Sequence, residues 1–301
     1  LMQSIAVLEI IVIDSGSTDR TLEILNEYEK VKVFSIPPHE FNHGNTRNYG
    51  VSKASGEFVI LTVGDARAYD QYWIQNLLDG FDEPSVAGVC GQQVVPHEKD
   101  KNPIQWFRPQ SSATKKKYRF TKKEFEALHP QQRKEACGWD DVCAMYRLSV
   151  LQQLPFQFTS FCEDAIWAKD ALLAGYALVY NTAARVYHYH LENQDFTFKQ
   201  CLTSMYFKYR HLGYIYPSPA LSFRQKLGIV KSLLKMKGLK LKEKWKWFNY
   251  NMGQDKALTN AYYVFTNALF KSEKTLDEVH QKYCGTAPIP VKINVNEPTL
   301  S

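Results

Sequence analysis

The sequence predicts an α/β fold, a mostly parallel sheet flanked by helices, with a C-terminal helical extension. Three observations predict it. Short apolar runs alternate with segments of helical spacing along the first third of the chain. Two of these runs end in or lead into an aspartate, Asp14 and Asp65. Beyond about residue 195, long helical segments take over, in which lysines interleave with leucines and aromatics. Apolar runs of four to eight residues suit strands buried on both faces, and strands separated by helices pair in parallel.

The elements follow in order. Glu9-Ile-Ile-Val-Ile-Asp14 reads as a buried strand, Ser15 to Asp19 as a turn and Thr21 to Tyr28 as a helix. Val31 to Ile36 is the next strand, stopped by Pro37-Pro38, and Asn45 to Ser55 is a helix ended by Gly56. Phe58 to Val63 is a strand closed by Gly64-Asp65, Tyr72 to Phe81 a helix and Val86 to Cys90 a strand. The polar, basic segment Asn102 to Cys137, with Lys115-Lys-Lys117 and Lys122-Lys123, predicts a long loop or lid. Val142 to Tyr146 resumes apolar structure. A helix from Ala165 to Ala174 stops at Gly175, ahead of a short apolar run, Ala177 to Tyr180. Helices are expected over 196–212, 223–248 and 251–270, and 288–301 lacks periodicity. The division expected is 1–195, 196–285 and a tail, 286–301.

The chain has 301 residues, 45% hydrophobic and 23% charged, with a net charge of +6. That is ordinary globular composition, and the charge suits an anionic ligand, a membrane surface or nucleic acid without choosing among them. No nucleic-acid module is recognisable, so nucleic acid is not an expected partner. Six cysteines show no zinc-ligand spacing and read as free thiols in a reducing compartment. No apolar run spans a bilayer and no signal peptide is visible, so the expected location is cytoplasmic.

Several residues could carry chemistry. Asp14, with Ser15 and the small residues after it, could accept from the imide N–H of a pyrimidine base and expose backbone amides to a ribose or anion; equally, Ser17 or Asp19 could simply cap the helix from Thr21. Asp65 is either a turn residue or a hard oxygen ligand for Mg²⁺ or Mn²⁺ beside a diphosphate. Glu163-Asp164 stands at a helix start, where acids favour the dipole and where one could act as a general base. His188 and His190 alternate with Tyr187 and Tyr189, so both imidazoles share a face, as half-buried polar groups or as part of a metal site. Arg47, at a helix start, is either an ordinary surface arginine or a diphosphate contact.

Taken in order, these pieces resemble the family-2 glycosyltransferases of the GT-A fold, and within them the rhamnosyltransferase-like group. The matching segments are Glu9 to Asp19, Glu40-Phe-Asn-His-Gly-Asn-Thr-Arg-Asn48, Gly56 to Ala66, Gly91-Gln-Gln-Val-Val-Pro96 with Asn102-Pro103, Val142 to Arg147, Pro155-Phe156, Phe161-Cys-Glu-Asp164 and Val186-Tyr-His-Tyr-His190. The resemblance covers residues 1 to about 192. It implies inverting transfer of a sugar from a nucleotide donor to a hydroxyl, with rhamnose from dTDP-rhamnose the first guess and a growing surface glycan or lipid-linked saccharide the acceptor. It further implies Asp164 as the base with Glu163 orienting the acceptor, and Asp14, Ser15, Arg47, Asp65 and Ala66 along the nucleotide-sugar. Asp65, His188 and His190 would lie at a divalent metal, Mg²⁺ or Mn²⁺.

Two departures stand out. The family's D-x-D pair reads Asp65-Ala-Arg67 here, so the second acid is absent. The family also places a strand and helix ahead of the Asp14 strand, of which only the end of the helix, Leu1 to Ala6, is visible. The alternative expectation is therefore a truncated, catalytically impaired transferase that only binds nucleotide-sugar. The basic amphipathic segment 223–248 is either a solvated helix packed on the catalytic part or a peripheral contact with an anionic inner membrane face.

Overall fold

The computed structural model describes residues 2–98, 100–105 and 112–285; the expected tail, 286–301, lies outside them. The first unit is β1 (Ile10–Asp14), α1 (Thr21–Asn26) and β2 (Val31–Ser35), with the strands paired in parallel from Ile10 opposite Val31 to Asp14 opposite Ser35. A single turn, Pro38–Glu40, leads into α2 (His43–Lys53). Then come β3 (Phe58–Leu61), β4 (Arg67–Ala68), α3 (Trp73–Leu78), β5 (Val86–Val94), β6 (Lys115–Tyr118), α4 (Lys122–Ala127) and α5 (Pro130–Ala136). β7 (Ala144–Arg147), α6 (Leu148–Gln153), α7 (Glu163–Leu173) and β8 (Ala177–Tyr187) complete the α/β part.

The six-stranded sheet runs β3-β7-β5-β8-β4, with β6 also paired to β8. The α/β layering follows the sequence reading, but the pairing is mixed. β5 and β8 are parallel, whereas β3–β7, β5–β7, β4–β8 and β6–β8 are antiparallel. The reason lies in the 102–137 segment, expected as a loop or lid, of which 106–111 are outside the described residues. Its three lysines form β6, an edge strand, and α4 and α5 bring the chain into β7 from the carboxyl end of β5. Lysines suit an edge because their exposed charges discourage further pairing. Lys117 pairs with Asp82 and Glu83, and the Lys116 ammonium sits 4.6 Å from the Tyr118 ring centroid.

Side chains alternate across the sheet, as a period of two requires. Ala144, Tyr146 and Leu178 face a core with Trp139, Phe156 and Trp167, while Met145, Val89 and Val179 face one with Ile74 and Leu77 of α3. β1 and β2 form a separate two-stranded sheet. Among the described residues no strand joins β1 to β3. The burial reflects this, since Phe58 to Leu61 are all half-buried while Val86 to Cys90 are buried throughout.

The remaining helices are α8 (Gln194–Leu212), α9 (Phe223–Lys235), α10 (Leu241–Lys271) and α11 (Glu273–Cys284). α8, α10 and α11 share a core of Leu202, Met205, Phe265 and Leu276. The expected helix over 223–248 is two helices. A capping box of Ser222 and Gln225 starts α9, the chain leaves the helix around Gly238, and Leu239 drops into a small core with Leu233 and Trp247. The expected break after Phe248 is absent, because nothing between 248 and 251 interrupts a helix and Asn251 donates to the Trp247 carbonyl oxygen one turn back, at 2.7 Å.

One close approach in the sheet can be tested. Gly91 donates its amide to the Cys143 oxygen at 2.7 Å, and a Cβ there would stand 2.5 Å from the Ala184 carbonyl oxygen. Gly91→Ala is expected to cost about 1–3 kcal/mol by overpacking, read as a lower urea midpoint. An unchanged midpoint would show that the strands part freely at this point.

Candidate active site

Asp65 lies in the turn after β3, where the Ala66 amide donates to the Val63 oxygen at 3.2 Å. β4 then pairs with the end of β8, Arg67 opposite Tyr187, which brings the residues just before one and just after the other together. His188 Nε2 is 3.3 Å from Asp65 Oδ1, His190 Nε2 is 3.3 Å from Asp65 Oδ2, and the two Nε2 atoms are 2.9 Å apart. One ligand atom from each residue lies within 4.8 Å of the others. The histidines follow the end of β8 rather than sitting within it, and their rings meet edge to face at 4.5 Å.

The tautomer of His188 is set by its other nitrogen. Gln93 donates Nε2 to the Asp140 carboxylate, which can only accept, so its oxygen is the atom 2.7 Å from His188 Nδ1. Nδ1 therefore carries the proton, and neutral His188 turns the Nε2 lone pair toward the Asp65 carboxylate. Two acceptors this close repel unless a proton or a cation stands between them. A carboxylate and two imidazoles fit a divalent cation, and the nitrogen donors suit Mn²⁺ better than Mg²⁺. In the case where a proton rather than a cation stands between them, His188 Nε2 donates to Asp65, and this hydrogen bond, with charge attraction from both imidazoles, holds the Asp65 carboxyl below its usual range. Burial and the neighbouring His188 push His190 down, favouring the neutral form that can ligate.

A second cluster forms at the start of α7. Cys162 caps it in the left-handed region, φ 61°, and places Glu163 and Asp164 in the first turn. Arg47, on α2, pairs with Glu163 Oε1 and, at 3.1 Å, with Asp141 Oδ2. Asp141 is buried and also accepts from the Tyr146 hydroxyl, which in turn accepts from Trp139 Nε1 at 2.7 Å. Burial pushes Asp141 up to about 6, with Arg47 opposing. Asp164, half-buried by exposure and accepting the Ala165 amide at 2.6 Å, is raised by burial and then by Glu163, Asp141 and Asp140. Burial works against the Arg47 charge, but Asp141, Glu163 and Asp164 more than offset it.

The two clusters meet at Asp140-Asp141. Asp140 holds Gln93 and through it His188, while Asp141 holds Arg47 and through it Glu163. Sequence reasoning missed Gln93, Asp140, Asp141 and Tyr146 as site residues. The available signal was a pair of acids directly before an apolar run, and a glutamine pair after one. The Arg47 guanidinium is paired with buried carboxylates, because an arginine half-way along a helix that faces α7 is drawn to the nearest negative charge. Asp14 is buried and takes the amides of Gly16 at 3.0 Å and Ser17 at 3.2 Å. The Ser17 side chain, then these amides, lower its pKa against the effect of burial. Among the described residues no hydrogen bond or ion pair joins Asp14 or Ser15 to either cluster.

The model of the family described as Glycosyl transferase family 2 matches residues 1–154, just over half of the chain. Two curated proteins are similar to it. The O-antigen chain rhamnosyltransferase RfbN of Salmonella typhimurium (strain LT2) is 34% identical over 185 residues, covering 60% of this chain and 57% of that protein. The O-antigen chain rhamnosyltransferase WbaN of Salmonella anatum is 31% identical over 185 residues, covering 60% of this chain and 56% of that protein. The chain thus spans just over half the length of these relatives. Among solved structures, Staphylococcus aureus TarS 1-349 in complex with UDP-GlcNAc is similar over 95% of this chain and 75% of that one, at 16% identity and a TM-score of 0.48.

Removing the Arg47 charge from the buried carboxylates should be costly. Arg47→Met is expected to lose about 3–5 kcal/mol at pH 8. The deficit should shrink as pH falls through about 6, because Asp141 and Asp164, raised in the folded state, then bind protons that the unfolded chain does not. Denaturation midpoints across pH measure both effects. A pH-independent deficit would mean that lost packing, rather than unpaired charge, dominates.

Proposed function

Since the chain belongs to glycosyl transferase family 2, we propose that it is an inverting glycosyltransferase that moves a sugar from a nucleoside diphosphate donor to a hydroxyl of a growing surface glycan. The observation that carries the reading is the chain of contacts from a metal-type triad, Asp65, His188 and His190, through Gln93, the Asp140-Asp141 pair and Arg47 to Glu163, whose neighbour Asp164 is a carboxylate of raised pKa. The similarity to two proteins named O-antigen chain rhamnosyltransferases makes dTDP-rhamnose the first donor to test and a lipid-linked saccharide the first acceptor. The proposed location is cytoplasmic. Among the described residues no helix is long and apolar enough to cross a membrane.

In this mechanism Asp164 accepts the proton of the acceptor hydroxyl as its oxygen bonds to the anomeric carbon. The bond from that carbon to the diphosphate oxygen breaks on the opposite face, and the electron pair leaves with the nucleoside diphosphate. Glu163, held by Arg47, orients the acceptor. Arg47 is therefore a positioning residue and not a donor contact. Asp65, His188 and His190 would hold a divalent metal, which when bound neutralises charge on the leaving diphosphate. Asp14 and Ser15, at the carboxyl end of β1, are assigned to the base and ribose, and Asp65 and Ala66, after β3, to the diphosphate side. A second reading, donor binding without turnover, is favoured by the separation of β1 and β2 from the six-stranded sheet.

The experiment is release of dTDP from dTDP-rhamnose in the presence of Mn²⁺ and a saccharide acceptor, alongside thermal shift by the same donor. Turnover supports the transferase; stabilisation without turnover supports the second reading. The rate should fall at low pH through a pKa above the ordinary carboxylate range, because Asp164 must be ionised to act and its pKa is raised. Asp164→Asn should lower kcat by about 10²-fold or more, and an unchanged pH–rate profile in that variant would remove Asp164 as the base.

Gln93→Leu frees His188 to choose the other tautomer. It is expected to weaken Mn²⁺ binding about 10–100-fold in calorimetry without donor. Undiminished affinity would show that Gln93 does not set the ligand.

A further inference from the structure

The helical pair α9–α10 is apolar on two sides, and only one is covered. Its inner side supplies Leu233, Leu239 and Trp247, which pack with Ile229, Met236 and Ile104. The other side is a stripe on each helix. On α9 it is Phe223, Leu227, Val230 and Leu234, spaced four, three and four residues apart and so confined to an arc of about 60°. On α10 it is Leu241, Trp245 and Phe248, with the same spacing. The stripes meet in an open, mostly apolar groove of about 200 Å³ lined by Val230, Leu234, Leu241, Trp245 and Phe248, with Leu233 on its floor side and Lys244 also lining it. Phe223 and Leu241 are each 78% exposed, Trp245 64% and Leu234 60%. A covered core face cannot look like this, and a merely solvated helix would not carry it.

The charge around the stripes is one-signed. Residues 223–248 hold nine basic side chains and one acidic, a net of +8, whereas the whole chain nets +6, so everything else together is −2. All the net positive charge of the protein sits on this hairpin. By helical spacing, Arg224, Lys231 and Lys235 lie beside the α9 stripe and Lys242 beside that of α10. Three of the hairpin's lysines are engaged elsewhere: Lys226 with Asp255 at 2.9 Å, Lys244 with the Leu234 oxygen at 2.9 Å and Lys246 over the Trp247 ring at 4.9 Å.

We infer that the outer face of α9–α10 docks on an anionic phospholipid bilayer, with Phe223, Leu234, Leu241 and Trp245 inserted among the acyl chains and the flanking lysines at the headgroups. Apolar burial and attraction to acidic lipids reinforce one another in this geometry. An apolar protein partner would not need the lysines, and a nucleic acid would not need four exposed apolar side chains. The docking face is coupled to the site. Asn251, one turn beyond Trp247, exchanges hydrogen bonds of 3.0 and 3.1 Å with Asn102, whose amide donates to the Tyr189 hydroxyl at 3.1 Å. Tyr189 lies between His188 and His190. Bilayer contact thus holds the site at the membrane surface, where an acceptor carried on lipid would be presented; only this last step rests on the sugar-transfer reading.

The test is co-sedimentation of the full chain with vesicles of phosphatidylcholine, alone or with phosphatidylglycerol, without donor or metal. Binding should require phosphatidylglycerol and weaken with salt. The triple variant Leu234→Ser, Leu241→Ser, Trp245→Ser alters only exposed side chains and should keep the melting temperature while losing about tenfold or more in partitioning. Lys231→Glu with Lys242→Glu should give a loss of similar size. Equal binding to both vesicle types, or undiminished binding by the triple variant, overturns the inference. So does light scattering that shows a dimer dissociated by the triple variant, which would make the face a contact between copies. Donor turnover is measured separately with a soluble acceptor, so failure of the transferase reading leaves this result standing.

Discussion

The burial of Arg47 among carboxylates is the constraint on which the rest of the site depends. A guanidinium and acids removed from water are tolerable only when each is matched, and the matching partners come from three places: α2, the residues before β7 and the first turn of α7. The same face of α2 is clipped to the segment before α7 by amide side chains. Asn42 caps the helix and donates to the Thr159 oxygen at 2.8 Å, and Asn48 both donates to the Phe156 oxygen at 2.8 Å and accepts its amide at 3.0 Å. Glu163 and Asp164 are thereby held on a rigid frame rather than on a free loop end. Burial, and after it the excess of negative charge that remains, raises Asp164 well above the ordinary carboxylate range.

The other half of the site depends on strand register. The parallel pairing of β5 and β8 sets Gln93 opposite Val186 and Val94 opposite Tyr187, and the His188 amide continues the ladder to the Val94 oxygen at 3.1 Å. Gln93 is consequently beside the His188 ring, where its amide can choose the tautomer and pass the constraint to Asp140. A slip of one residue would turn Gln93 to the opposite face and leave Nδ1 without its acceptor. The chain thus ties an imidazole near the diphosphate end of the proposed donor to the backbone that also carries Asp141.

The helical region adds a different kind of order. α8, α10 and α11 pack through leucines and aromatics in the ordinary way, while α9 and the first turns of α10 divide their apolar residues between an inner and an outer face. Asn251 ties this hairpin to the loop carrying the two histidines. The arrangement links a basic apolar surface to a cluster of metal-type ligands through Asn251, Asn102 and Tyr189.

Much of this was readable from residues alone. Strand runs ending in acids, the glycine stop after α7, the paired acids Glu163-Asp164 and the His-Tyr-His triplet are local patterns, and local patterns follow from period and turn chemistry that neighbours rarely override. The antiparallel entry of β7, the conversion of the lysine-rich segment into an edge strand and the break between α9 and α10 were not readable. Each depends on what the chain meets after folding: a free edge on β8, a core that accepts Leu239. Arg47 makes the same point most sharply. Its position at a helix start suggested an anionic ligand, yet the fold supplied two carboxylates from more than ninety residues away. The sequence by itself determined which groups could ionise, ligate or insert in a bilayer; only the tertiary structure decided which of them face one another, because charge pairing acts through distance in space and not along the chain.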